Sequence, residues 1–308
     1  MQIKLIIRIK RNICINSIEC IKYNIHDNCI ICFIRNMHIK LYMRIKSNLR
    51  IELKIQERVI NMIIAIANQK GGQGKTTTAQ AIATKATSDG KKSLAIDLDP
   101  QGNLTFSMGL NGTDAGAYEL LTGQLKPEQL IHHTPQGDII PSGINLATAD
   151  TNLAGEHRHK ALADALKQVK KKYDLITIDC PPTLNILLIN ALTAADKVII
   201  PLTADMYALQ GLYQLKQSIQ AAQKINSHLT IGGVVFTRHS TRTILSRDLT
   251  DVIINKCTEL DIPVYKTIIH EGIAIREAQT HRESIFDYAP KSKPAQDYVQ
   301  LIKEIGLS

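Results

Sequence analysis

From Asn68 to Thr78 the chain reads NQKGGQGKTTT. Gly71, Gly72 and Gly74 stand directly before Lys75, Thr76 and Thr77. Glycines at this density let a backbone curl until its N–H groups converge. With a helix N-terminus behind them, those donors cradle phosphates. Lys75 is expected to reach the β- and γ-phosphates of a nucleotide, ATP, and the Thr76 hydroxyl to ligate Mg²⁺. Gln73 and Thr77 complete the expected phosphate-binding set. The strict spacing of such loops needs glycine at position 69, where this chain has Gln69. The match is therefore to the deviant form K-G-G-x-G-K-[ST], which adds a second lysine, Lys70.

Two further segments carry acids where such a loop needs them. SLAIDLD, residues 93–99, places Asp97 and Asp99 at the end of an apolar run and leads into PQGN. LITIDCPP, residues 175–182, ends its own apolar run on Asp179. Open α/β sheets bind ligands at the carboxyl ends of their strands. One of Asp97 and Asp99 is expected to position an attacking water, the other to support Mg²⁺ or the phosphate loop. Asp179 is the expected Walker-B-like acid, holding a magnesium-bound water. A lone Asp at a strand end is more often a cap or turn residue; three together beside a phosphate loop favour chemistry.

The elements that must position these groups follow from periodicity. Short apolar runs occur at 63–68, 93–97, 138–141, 175–179, 198–201, 233–237 and 264–268. Helical patterns fall at 77–88, 160–172, 208–224, 245–260 and 294–305. Continuous β-branched runs suit strands buried on both faces. Their alternation with helices predicts an α/β fold: a mostly parallel sheet flanked by helices on both faces. Residues 103–136 are less periodic and read as short helices and loops over the top of the sheet.

Composition divides the chain. The formal net charge is +9 over 308 residues, but residues 1–61 carry 12 Lys/Arg against 4 Asp/Glu, and residues 62–308 carry 25 against 24. The first 61 residues contain 17 Ile and no Ala, Gly, Pro or Thr, as AT-rich DNA yields when translated without selection for a fold. Met62 is the expected true start, and 1–61 an upstream or disordered extension; the rival reading is a basic arm that touches nucleic acid. Residues 62–308 are expected to form one ATPase domain. Cys29 and Cys32 lack a second pair at metal-binding spacing. The longest uncharged stretch near them is too short for a membrane span, and no signal peptide is indicated. The other cysteines, Cys180 and Cys257, suit a reduced cytoplasmic protein.

The loop KGGQGKTTT, the segment DLDPQGN and the segment IDCPPTL together resemble the ParA/Soj family of deviant-Walker partition ATPases, a SIMIBI-type branch of the P-loop NTPases. PLTADMYALQGL at 201–212, VVFTRHSTRT at 234–243 and IREA at 275–278 extend the likeness from Met62 to near the C-terminus. The resemblance implies a sandwich homodimer formed on ATP binding, in which Lys70 crosses to the partner's nucleotide like an arginine finger. It implies that Asp99 serves hydrolysis, that the dimer binds DNA without sequence preference, and that a ParB-type partner stimulates turnover. It further implies a cytoplasmic, nucleoid-associated protein acting on a plasmid, chromosome or integrated element.

Two departures stand out. Gln73 replaces the valine most common at its position, with its side chain expected to point away from the phosphates. Of two family DNA-contacting arginines, Arg242 matches one; the other falls on Ala274, with Arg276 two residues on. Arg242 and Arg276 are the DNA-binding candidates, in a candidate patch that also includes Arg238, Arg247 and Lys266; a solvated surface charge is the bland reading of Arg242. His157 and His159 are expected on a helix without sharing a metal-binding face, His132 and His133 in a solvated loop, Cys180 in the core, and Lys170, Lys171 and Lys172 at a helix end. A MinD-like positioner is the competing function. It would need a basic amphipathic C-terminal helix, and DYVQLIKEIGLS carries as many acids as bases. A nitrogenase-iron-protein-like redox role lacks its cluster cysteines, and a relative that moves another cargo stays open.

Overall fold

Ile63, Ile64, Ala65 and Ile66 are too apolar to face water, and they form most of β1 (Met62–Ile66), a strand inside an eight-stranded sheet. The computed structural model describes residues 61–153, 155, 158–239 and 244–307. The other strands are β2 (Ser93–Asp97), β3 (His132–Thr134), β4 (Gly137–Ile140), β5 (Leu175–Asp179), β6 (Lys197–Leu202), β7 (Thr230–His239) and β8 (Val264–His270). Their order is β3-β4-β2-β5-β1-β6-β7-β8. Every pairing is parallel except β3 with β4.

Alternate residues of β1 feed two cores, because successive strand side chains point to opposite faces. Ile63 and Ala65 pack with α3 (Ala117–Thr122), α6 (Ala161–Leu166), α7 (Ile186–Ala194) and α8 (Ala208–Gln223). Ile64 and Ile66 pack with α1 (Lys75–Ser88), α2 (Asn103–Ser107) and α12 (Lys293–Ile305). Between these lie α4 (Pro127–Leu130), α5 (Ala149–Asn152), α9 (Ile244–Glu259), α10 (Ile273–His281) and α11 (Ile285–Tyr288). Helices thus cover both faces of a mostly parallel sheet, as the alternation of patterns requires. Among the described residues, no helix is long and apolar enough to cross a membrane.

Several local expectations change. His132 and His133 lie on the antiparallel edge strand β3, not in a loop; His133 is exposed and pairs with Asp138 at 2.6 Å. The pattern at 160–172 breaks into α6 and a 3₁₀ turn at Lys170–Lys172. Lys170 pairs with Asp196 and Lys172 with Glu128, so two of the three lysines are engaged locally. His159 sits in a turn rather than a helix; His157 lies outside the described residues. Helix α7, ILLINALTA, is buried nearly all round, and an apolar run without polar alternation does not announce its type.

Candidate nucleotide-binding site

The phosphate loop links β1 to α1. Gly72 and Gly74 have φ of +74° and +79°, a left-handed backbone that glycine adopts without strain. Gly74 is the N-cap of α1, and no side chain caps that end. Its first N–H groups therefore stay available to an anion. Lys75 is the first helical residue and is buried; its Nζ donates to the Lys70 carbonyl at 3.1 Å. Burial lowers its pKa, while Asp179 and Asp99 oppose that shift. The Gln73 side chain turns away from the loop's hollow: its Oε1 accepts from the Thr203 N–H at 2.6 Å. The loop is anchored again where the Thr237 hydroxyl donates to the Gln73 carbonyl at 2.9 Å.

The three acids have three different environments. Asp97 and Asp179 are aligned side by side on β2 and β5, and Asp179 is also aligned with Ile66 on β1. Asp97 accepts from the Thr105 hydroxyl at 2.7 Å, the Thr105 N–H at 2.8 Å and the Asp99 N–H at 3.1 Å. Those bonds commit Asp97 to shaping the turn between β2 and α2. Burial, only partly offset by them, lifts its pKa to about 6. Asp99 uses one oxygen to accept from the Gln101 N–H at 3.0 Å and lines the cavity. Asp179 is wholly buried, and neither carboxylate oxygen has a hydrogen-bond partner of ordinary geometry. Burial raises its pKa well above the carboxylate range, Asp97 adds to this, and the nearby Thr76 hydroxyl and Lys75 ammonium pull it back.

A cavity of about 520 Å³ opens over the loop, a size that takes a small organic ligand. One wall is Gly71, Gly72, Gly74, Lys75, Thr76, Thr77 and Asp99. The other is built by Thr237 and Arg238 at the end of β7, His270 at the end of β8 and Glu271 just after it, Arg276 and Gln279 on α10, and Tyr298 on α12. Gln279 donates to the Thr77 hydroxyl at 3.1 Å, and Thr78 shares a buried hydrogen bond with Tyr298. Spacing in the sequence gives no sign of this second wall, because its residues come from four separate elements.

The donor set fits a hydrated magnesium ion accompanied by phosphates. Among the described residues, no cluster of three or more His, Cys, Asp or Glu could hold a metal unaided. Magnesium usually keeps several waters and takes one or two protein groups plus substrate phosphates. The Thr76 hydroxyl and the unpartnered oxygens of Asp179 suit that pattern, the latter as acceptors for a metal-bound water.

Lys70 behaves unlike Lys75. It does not line the cavity; its Nζ bonds Asp205 Oδ2 at 2.6 Å and lies 5.7 Å from the centre of the Tyr207 ring. Of the DNA-binding candidates, Arg276 is exposed at the cavity rim, 3.9 Å from Glu271, to which Arg238 also bonds. Arg242 lies outside the described residues. Cys180 is fully buried, in agreement with a core role.

A family model for an AAA domain matches residues 61–231. The sporulation initiation inhibitor protein Soj of Bacillus subtilis is 40% identical over 250 residues, covering 79% of this chain and 98% of that protein. The chromosome-partitioning ATPase Soj of Treponema pallidum is 38% identical over 246 residues, covering 79% and 96%. Among solved structures, cobyrinic acid a,c-diamide synthase from Mycobacterium smegmatis, with bound ATP analog and magnesium, superposes with a TM-score of 0.70. It is 34% identical and covers 79% of this chain and 92% of that one.

Proposed function

The chain belongs to the ParA/Soj family of P-loop ATPases, and from that membership we propose that it is an ATP-hydrolysing partition protein whose working form is a nucleotide-sandwich homodimer. The observation that carries the dimer is the divergence of the loop's two lysines. Lys75 is sunk in the floor of its own cavity, and Lys70 points out of it onto an accessible face. A cation on the outer face is placed to serve a nucleotide held by a second copy. The name of the mycobacterial structure describes a biosynthetic synthase. The partition reading rests instead on the DPQGN segment and on Soj proteins matched over nearly their whole length.

Each residue then has a task set by its surroundings. The loop N–H groups from Gly71 to Thr77, with Gln73 holding the loop's shape, bind the phosphates of ATP. Lys75 neutralises charge on the β- and γ-phosphates, and the phosphates in turn suit a buried ammonium whose hydrogen bond goes to a neutral carbonyl. Magnesium, when bound, offsets charge building on the phosphate oxygens. Thr76 would ligate it directly, and Asp179 would accept from one of its waters. Asp99, exposed to the cavity, orients the attacking water, and the partner's Lys70 stabilises charge in the transition state. Without that lysine turnover is slow, so hydrolysis is tied to assembly.

Around this core the reading places a ParB-type partner that stimulates hydrolysis. It also places non-specific DNA bound through Arg276 and Arg242, no membrane contact, and a cytoplasmic site of action on the nucleoid. Residues 62–308 carry all of these activities. The test is a comparison of Lys70→Ala with Lys75→Ala by nucleotide binding and sedimentation. Lys75→Ala loses ATP binding; Lys70→Ala keeps it but fails to accelerate hydrolysis on assembly. Equal loss of binding in both would remove the distinction on which the dimer rests.

A further inference from the structure

The phosphate loop is fastened to one neighbouring segment, residues 201–207, which spans the end of β6 and the turn into α8, at three points. Asn68 Nδ2 donates to the Pro201 carbonyl at 2.7 Å. The Thr203 N–H donates to Gln73 Oε1 at 2.6 Å. Lys70 Nζ donates to Asp205 Oδ2 at 2.6 Å. The first two contacts fix the two backbones against each other. The third takes the one long, charged, half-exposed side chain of the loop and pins it. The Tyr207 face adds to the same hold.

We infer that Asp205 is a positioning residue that latches Lys70 within its own subunit, so that Lys70 serves a second subunit only after this ion pair opens. The inference rests on the proposed role of Lys70 across a dimer. One ammonium cannot sit on Asp205 and on a partner's phosphates at once, so the pair competes directly with assembly. The competition is modest by design of the site: the ion pair is partly solvated and opens readily. Met206 and Tyr207 are 85% and 69% exposed beside the latch, so a copy seated on this face would meet it at once.

Asp205 also has a plain structural task. Its Oδ1 accepts from the Tyr207 N–H at 3.0 Å at the start of α8. Asp205→Asn keeps that acceptor and removes the charge, which separates the two roles; Asp205→Glu keeps the charge and should restore the latch in part.

The test has two arms on the full chain. In the first, without nucleotide, the rate at which an amine-reactive acylating reagent modifies Lys70 is read by mass spectrometry. Asp205→Asn should raise it about threefold, the scale a half-exposed ion pair supports, with Lys85 as internal reference and Asp205→Glu close to wild type. An unchanged Lys70 rate overturns the latch whether or not the protein dimerises. In the second arm, the ATP concentration for half-maximal dimerisation is measured by sedimentation. Asp205→Asn should lower it, and the shift should vanish in a Lys70→Ala background. A raised or unchanged concentration, or a shift that survives Lys70→Ala, overturns the inference. Absence of any dimer in the wild-type chain would instead refute the proposed function, with the labelling arm still deciding the latch.

Discussion

Side chains of the same type do different work in this site because their surroundings differ. Asp97, Asp99 and Asp179 all end strands or the turns after them. Asp97 is consumed by three hydrogen bonds, two from Thr105 on α2 and one from the Asp99 N–H, Asp99 faces the cavity, and Asp179 is buried with no hydrogen-bond partner of ordinary geometry for either oxygen. Asp99→Ala should therefore bind ATP and assemble normally while its turnover falls by about 10²-fold or more, the scale of a lost water-orienting group; single-turnover hydrolysis checks this, and a wild-type rate would remove Asp99 from the chemistry. Lys75→Ala should abolish the thermal stabilisation that Mg-ATP gives the wild-type protein, since bound ligand stabilises only the form that holds it. These loop residues were legible in the sequence because glycines, lysine and threonine at fixed spacing have few other uses. Asp205 was not. It lies 135 positions from Lys70 and forms no local pattern with it. Only the return of the chain through β6 brings the two together.

The elements show the same division. The strands that end on the acids could be read because β-branched runs buried on both faces are distinctive, and β2 and β5 fall on the expected residues. The one antiparallel edge strand, β3, has three residues and two histidines, too short for any period to register. Helix α7 was hidden for the opposite reason, having no polar face to set a phase. Helix α12 was visible, and its burial shows why it matters to the site. Leu301 and Ile302 pack under the sheet beside Tyr298, which holds Thr78 of α1 by a hydrogen bond. Leu301→Ala should cost about 2–5 kcal/mol of stability, the usual range for a large-to-small change in a closed core, measured by urea unfolding. Tyr298→Phe should cost about 1 kcal/mol, because it strands one buried hydroxyl without filling or emptying space.

At the scale of the whole molecule, charge is concentrated in the first 61 residues, and the remainder is nearly neutral. Binding of residues 62–308 to DNA would then depend on a local patch rather than on bulk attraction. Arg276→Glu should weaken DNA binding of the ATP-bound form and flatten its salt dependence; an unchanged salt slope would remove Arg276 from that surface. A chain beginning at Met62 should keep its fold and its ATPase rate, since every group placed in the site lies beyond that point. Assembly itself is the central claim, and subunit mixing tests it most directly. Lys70→Ala lacks the lysine proposed to cross the interface, and Asp99→Ala lacks the acid proposed to orient water; each alone should be nearly inactive. Mixed in the presence of ATP, they should regain hydrolysis, because a mixed dimer holds one site with Asp99 from the first chain and Lys70 from the second. If the mixture stays as inactive as its parts while mixed dimers form, Lys70 does not act across the interface, and the account of a nucleotide-sandwich ATPase fails.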